Sequence, residues 1–139
     1  MSLKLADARR NAVALGLATK GRRLILRLRD RDSLARHMDR DAPASWRSLD
    51  AAVLEAAVLR GILNIDQQSA ATAGSLAFTH DGDEALRLVA SGACDIAFLL
   101  SAAPIEQVLS MAEAGERMPQ KSTYFYPKLP AGLVMNPLD

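Results

Sequence analysis

Aromatic residues are scarce in this chain: one Trp, two Tyr and three Phe, 4% of 139 residues. A core of large rings is therefore excluded, and the interior must be mainly Leu, Val, Ile and Ala. A single cysteine, Cys94, excludes an internal disulfide. With no signal-like start, that points to a reducing, cytoplasmic compartment. Neither sign of charge is in excess. The formal net charge of +1 offers no overall pull toward nucleic acid or anionic membranes. Long apolar runs are missing too. "CDIAFLLSAAPI" contains an acid and a proline and is too short to span a bilayer. No G-x-S-x-G, H-E-x-x-H, C-x-x-C or G-x-G-x-x-G occurs, so no catalytic residue, cofactor or metal is assigned.

What is present is ordinary for a globular protein: 50% hydrophobic and 24% charged residues. The length suits one domain over residues 1–139. After an alanine-rich start of helical character, two strand-like runs, 13–18 and 22–29, flank Thr19-Lys20-Gly21. A three-residue connection ending in glycine predicts a hairpin with a bulge. In the second run Leu24, Leu26 and Leu28 alternate with Arg23, Ile25, Arg27 and Arg29, giving an apolar face and a mostly basic face. Residues 31–45 read as a short helical turn and a loop broken by Pro43.

The clearest helix follows. Leu49, Ala52, Val53, Ala56 and Leu59 or Arg60 recur at helical spacing, with Ser45 or Ser48 as the cap and Gly61 as the stop. Residues 64–75 read as a loop and "SLAFT" as a strand. A second helix over 80–92 turns Leu86, Val89 and Ala90 inward and ends at Gly92. "DIAFLL" has the continuous apolar character of a central strand covered on both sides, crossing right-handed from "SLAFT" if the two are parallel neighbours. A third helix opens at Pro104 and stops at Gly115. Two extended runs, "STYFY" and "GLVM", close the chain. The order predicts an α+β domain, a single mixed β-sheet with three to four helices packed on it.

Several groups carry possible chemistry. "QKST" echoes the end of a phosphate-binding loop, but the preceding "ERMP" has no glycine and its proline has no amide to offer. His80, Asp81, Asp83 and Glu84 gather metal-binding groups just ahead of a helix. Capping of free amides is the better reading there. His37 stands in a charged, water-facing stretch. Cys94 opens an apolar run, where a small buried hydrophobe is the default. Arg23, Arg27 and Arg29 share one strand face, yet with no stacked aromatics beside them and acids just after, at Asp30 and Asp32, nucleic-acid binding is not expected.

The remaining stretch is "MPQKSTYFYPKLPAGLV", residues 118–134, which holds half of the aromatics and both tyrosines. If it is extended, Ser122, Tyr124, Tyr126 and Lys128 share one face, and Thr123 and Phe125 the other. Lysines supply charge and hydroxyls supply directed hydrogen bonds for an anionic ligand. The same face also suits a packed interface, because tyrosine buries its ring while its hydroxyl stays wet.

With "SLDAAVLEAAVLRGILNI" and "FTHDGDEALRLVASGACDIAFLLSAAPIEQVLSMAEAGE" ahead of it, this tail closely resembles the carboxyl-terminal part of the domain of unknown function 1015 family. These are bacterial and archaeal proteins with no settled activity. The MP-x-KSTYFYPK-x-x-x-GLV signature is long and specific, and the resemblance runs from about Asn11 to the end. It carries Met118, Pro119, Lys121, Ser122, Thr123, Tyr124, Phe125, Tyr126, Pro127, Lys128 and Gly132 over as signature positions. Phe78 departs from the tyrosine that members often hold. The resemblance implies that the chain is the carboxyl-terminal fragment of a longer protein, able to pack against an amino-terminal region it lacks or to form a homodimer.

Two functions follow as expectations. In one, Lys121, Ser122, Thr123, Tyr124, Tyr126 and Lys128 form part of a cleft for a small anionic or phosphorylated metabolite. In the other, the domain is a non-catalytic interaction module, and the signature packs against the amino-terminal region or a second subunit.

Overall fold

The structure, a computed structural model, describes residues 5, 7–8, 12–34, 36–38, 42–119 and 122–123. Its frame is a three-stranded sheet in the order β2-β1-β3, formed by β1 (Ala14–Thr19), β2 (Arg22–Arg27) and β3 (Ile96–Leu99). Both pairings are antiparallel: Gly16 lies opposite Ile25 on one side and Leu99 on the other. The α+β class expected from the sequence is what the structure shows. Parallel strands do not occur among the described residues, so the conditional right-handed crossover does not arise.

β1 is the central strand because it is apolar on both faces. Ala14, Leu15 and Ala18 are each 3% exposed or less. On the face of Ala14, Gly16 and Ala18, small side chains leave room for covering elements. Leu5, Ala8 and Ala14 cluster there with Ile25 and Leu99. On the opposite face, Val13 and Leu28 pack with Leu34, Val53 and Ala56. "DIAFLL" therefore does not form the central strand. β3 lies at the edge of the sheet among the described residues, with Ile96 41% exposed. Two continuous apolar runs competed for the middle, and the strand that pairs twice is a tertiary matter.

The hairpin is tighter than its sequence implies. Lys20-Gly21 alone joins the strands, and Gly21 adopts φ +92°, a left-handed conformation that glycine takes without a Cβ clash. The face of β2 that carries Arg23 and Arg27 is not simply basic and wet. Ile25 packs inward, and Arg27 Nη2 donates to the Ala8 carbonyl at 3.3 Å.

Beyond α1 (Arg31–Leu34) and a 3-10 helix (Ala44–Ser48) comes α2 (Asp50–Val53), which runs directly into a π-helix (Leu54–Arg60). Leu49, Ala52, Val53, Ala56 and Leu59 are all buried, as their spacing requires. Neither serine caps this segment: its N-cap position is Leu49, and both serines lie in the preceding 3-10 helix. Ser48 donates to the Ser45 carbonyl at 2.7 Å, and Ser45 to the Glu116 carboxylate. Gly61 is the stop, as expected: the π-helix ends at Arg60 with Gly61 as its C-cap, at φ −73° rather than in a left-handed conformation. The left-handed residue follows at Asn64, φ +53°, and Gly61 also serves close packing. A Cβ on Gly61 would lie 2.7 Å from the Ala57 carbonyl oxygen and 3.2 Å from His37 Nδ1.

Residues 67–72, expected as loop, form α3 (Gln67–Thr72), with the Asp66 carboxylate accepting from the Ser69 amide at 2.9 Å. "SLAFT" forms no strand; Phe78 in it is 49% exposed. α4 (Gly82–Ser91) ends as expected at Gly92, φ +80°. It rests on β1 and β3, burying Val89 and half-burying Leu86. Ala90 faces water, and Ala85 and Leu88 join the inward side in its place. α5 (Ile105–Glu113) follows Pro104 and stops at Gly115, φ +69°. No helix of the described residues is long and apolar enough to cross a membrane.

Candidate functional site: the seam that anchors the signature

The segment leaving α5 lies along the 3-10 helix. Pro43 starts that helix, its carbonyl accepting the Trp46 amide at 3.0 Å. One turn exposes Ser45 and Trp46 to the returning chain. Trp46 Nε1 donates to the Arg117 carbonyl at 3.0 Å, and Ser45 Oγ donates to the Glu116 carboxylate. Lower in the seam, the Gln107 side-chain amide of α5 donates to Ser48 Oγ at 3.1 Å. Three contacts from two elements thus hold residues 107–117 against residues 45–48. Under them is an apolar cluster of Leu49, Ala52 and Met111, with Met38, Trp46 and Met118 packed against it.

The signature begins inside this cluster. Met118 packs against the buried core and Pro119 is buried. Ser122 then folds back. Its Oγ donates to the Pro119 carbonyl at 2.6 Å, a local turn that occupies the hydroxyl proton. Thr123 is exposed. Of the predicted site residues, Ser122 and Thr123 lie among the described residues, Ser122 in this turn and Thr123 just after it. Lys121, Tyr124, Tyr126 and Lys128 lie outside the described residues, as do Phe125, Pro127 and the run "GLVM".

The other candidates resolve into structural roles. Asp81 caps α4: its Oδ1 accepts from the Asp83 amide at 2.9 Å and the Glu84 amide at 3.2 Å. The Glu84 and Asp83 amides favour the charged form and hold the Asp81 carboxyl below its ordinary 3.8. Thr79 braces the turn, accepting the Asp81 amide at 3.1 Å and donating to the Glu84 carboxylate. His37 is exposed. Cys94, expected to be buried in a strand, is half-buried in the turn after α4, its amide donating to the Leu88 carbonyl at 3.2 Å. The strand starts two residues later because Gly92 and Ala93 use the local carbonyls to close the helix. Among the described residues, no group of three or more His, Cys, Asp or Glu side chains is arranged to hold a metal.

Sequence reasoning passed over two features. Asp50, at the start of α2, is 5% exposed, a buried carboxylate where a first-turn acid ordinarily meets water. Trp46 is the other. A lone tryptophan after Pro-Ala-Ser carries no periodic signal, yet it bridges the core and the signature. No family model, curated protein or solved structure matches the chain.

Proposed function

We propose that this domain is a non-catalytic interaction module. It buries a surface against another polypeptide region, either an amino-terminal region of a longer protein or a second copy of the chain. The observation that carries this reading is an apolar stripe on the outer side of α5. Ile105 and Leu109, four residues apart and so on one face, are 50% and 54% exposed. Leu100, in the connection leading to α5, is 39% exposed. The opposite side of the same helix is already in the core through Met111, and among the described residues the stripe joins no core cluster. The seam adds support. Met118 and Pro119 act as core residues, which suits a signature that serves packing.

Membership in the domain of unknown function 1015 family, and location in a reducing cytoplasm, belong to the same proposal. They rest on the signature and on the single cysteine.

The test is Ile105→Lys with Leu109→Lys, read by light scattering after size exclusion. In this chain or in the longer protein, the pair should break an assembly or loosen domain packing while leaving the helical spectrum unchanged. An unchanged assembly state with unchanged stability of the longer protein overturns the reading.

A second reading, a cleft for a small anionic or phosphorylated metabolite, has one observation in its favour. Thr123 presents an exposed hydroxyl just past the anchored turn. Calorimetric titration with inorganic phosphate, repeated on Lys121→Met, separates the two. Phosphate binding lost in that variant, with assembly intact, supports the cleft.

A further inference from the structure

The hairpin carries the densest charge of one sign in the chain. Lys20, Arg22, Arg23, Arg27 and Arg29 fall within residues 20–29, and no acid lies among them, although the whole chain is nearly balanced at +1. All five are exposed. They stand on a rigid support, because β2 is hydrogen-bonded along its length to the buried β1. β2 is also a terminal strand of the sheet, with no partner strand on its outer side among the described residues.

We propose that the outer edge of β2 is a docking site for an acidic, extended peptide segment that adds to the sheet as a further strand. Two independent features of this edge select that partner. A terminal strand offers backbone N–H and C=O groups to any extended chain, which supplies affinity without regard to sequence. Side chains directly opposite in an antiparallel pair come within about 5 Å, so the arginines select the partner's side chains. On one face of β2 these are Arg23 and Arg27. Arg27 also donates to the Ala8 carbonyl, so Arg23 leads on that face, with Arg22 on the other and Arg29 exposed just past the strand's end. Arginine outnumbers lysine here four to one. Its planar fork grips a carboxylate bidentately, where an ammonium is only a point charge.

The same cations repel a second copy of this edge, the ordinary protection of an exposed strand. Repulsion of self and selection of an acid-bearing partner are two results of one charge pattern. A nucleic-acid strand fits the hairpin less well, because residues 20–29 contain no aromatic side chain on which a base can stack.

Fluorescence anisotropy tests this with labelled probes: a heptapeptide alternating Glu and Val, the same peptide with Lys for Glu, the Glu peptide with alternate amides N-methylated, and a single-stranded deoxyoligonucleotide of similar charge. The Glu peptide should bind. The Lys and N-methylated peptides should bind at least about tenfold more weakly, as should the Glu peptide to Arg23→Gln/Arg29→Gln, whose fold is checked by circular dichroism. Equal binding of the Glu and Lys peptides, or none of either, overturns the proposal and leaves the cations as guards against self-pairing. Indifference to N-methylation overturns strand addition. Tighter binding of the oligonucleotide than of the Glu peptide overturns the choice of partner.

Discussion

Trp46 and Arg117 are separated by 71 positions, yet the Trp46 indole N–H meets the Arg117 backbone carbonyl at 3.0 Å. This bond sits where the chain leaves the core and enters the signature. It fixes the point from which residues 118 onward depart.

Trp46→Phe keeps most of the ring packing against the apolar cluster beneath the seam but removes the donor. It should destabilise the domain by about 1 kcal/mol, the usual net worth of one hydrogen bond. Trp46→Ala also removes packing and should cost about 3 kcal/mol. Urea denaturation measures both. Equal costs for the two variants would mean that the indole N–H contributes nothing to the seam.

Met111 is 2% exposed at the centre of the cluster beneath the seam. Met111→Ala leaves a cavity there and should cost about 2–5 kcal/mol. Proteolysis should quicken at residues 116–119 before it does in the hairpin, since the seam loses its base while the sheet does not. Uniform acceleration across the chain would contradict this separation.

Gly61→Ala puts a methyl group 2.7 Å from the Ala57 carbonyl oxygen. Helix propensity alone favours alanine, by about 1 kcal/mol. Steric conflict with backbone should outweigh it, giving a net loss of about 1–3 kcal/mol. A thermal midpoint at or above that of the parent would show that the π-helix end relaxes freely.

Asp81 stabilises α4 only while ionised. Its carboxyl is held below the ordinary 3.8 by the Glu84 and Asp83 amides. A group whose folded pKa is depressed contributes fully above its unfolded value and loses that contribution as pH falls through the folded one. The stability gap between the parent and Asp81→Ala should therefore be constant from pH 7 down to about 5, and shrink below 3.8. Asp66, depressed chiefly by its hydrogen bonding to Ser69, should behave likewise at α3. A gap that persists unchanged at pH 2.5 would sink this account.

α3 carries its own signals in the sequence. Asp66 three residues before Ser69 is a start signal, and Gly74 just past the helix, at φ +73°, is a stop signal. The false strand at residues 75–79 has a different cause. Its apolar content is real, but neither terminal strand, β2 nor β3, pairs with it, and Phe78 stays 49% exposed. Of the site, composition revealed the cluster of hydroxyls, rings and lysines. The seam that holds its first residues was invisible, because Ser45, Trp46 and Glu116 follow no shared period.

By itself the sequence determined what is local: the helical face from Leu49 to Leu59, the Asp81 cap, the glycine stops at 92 and 115, and the basic run on β2. Each depends on groups within a turn or two of one another, so neighbouring residues suffice to specify them. The tertiary structure alone decided which apolar strand took the middle of the sheet, which helix side stayed exposed, and where the signature was tied down. Those outcomes depend on contacts between distant residues, whose partners are chosen by competition for one shared interior.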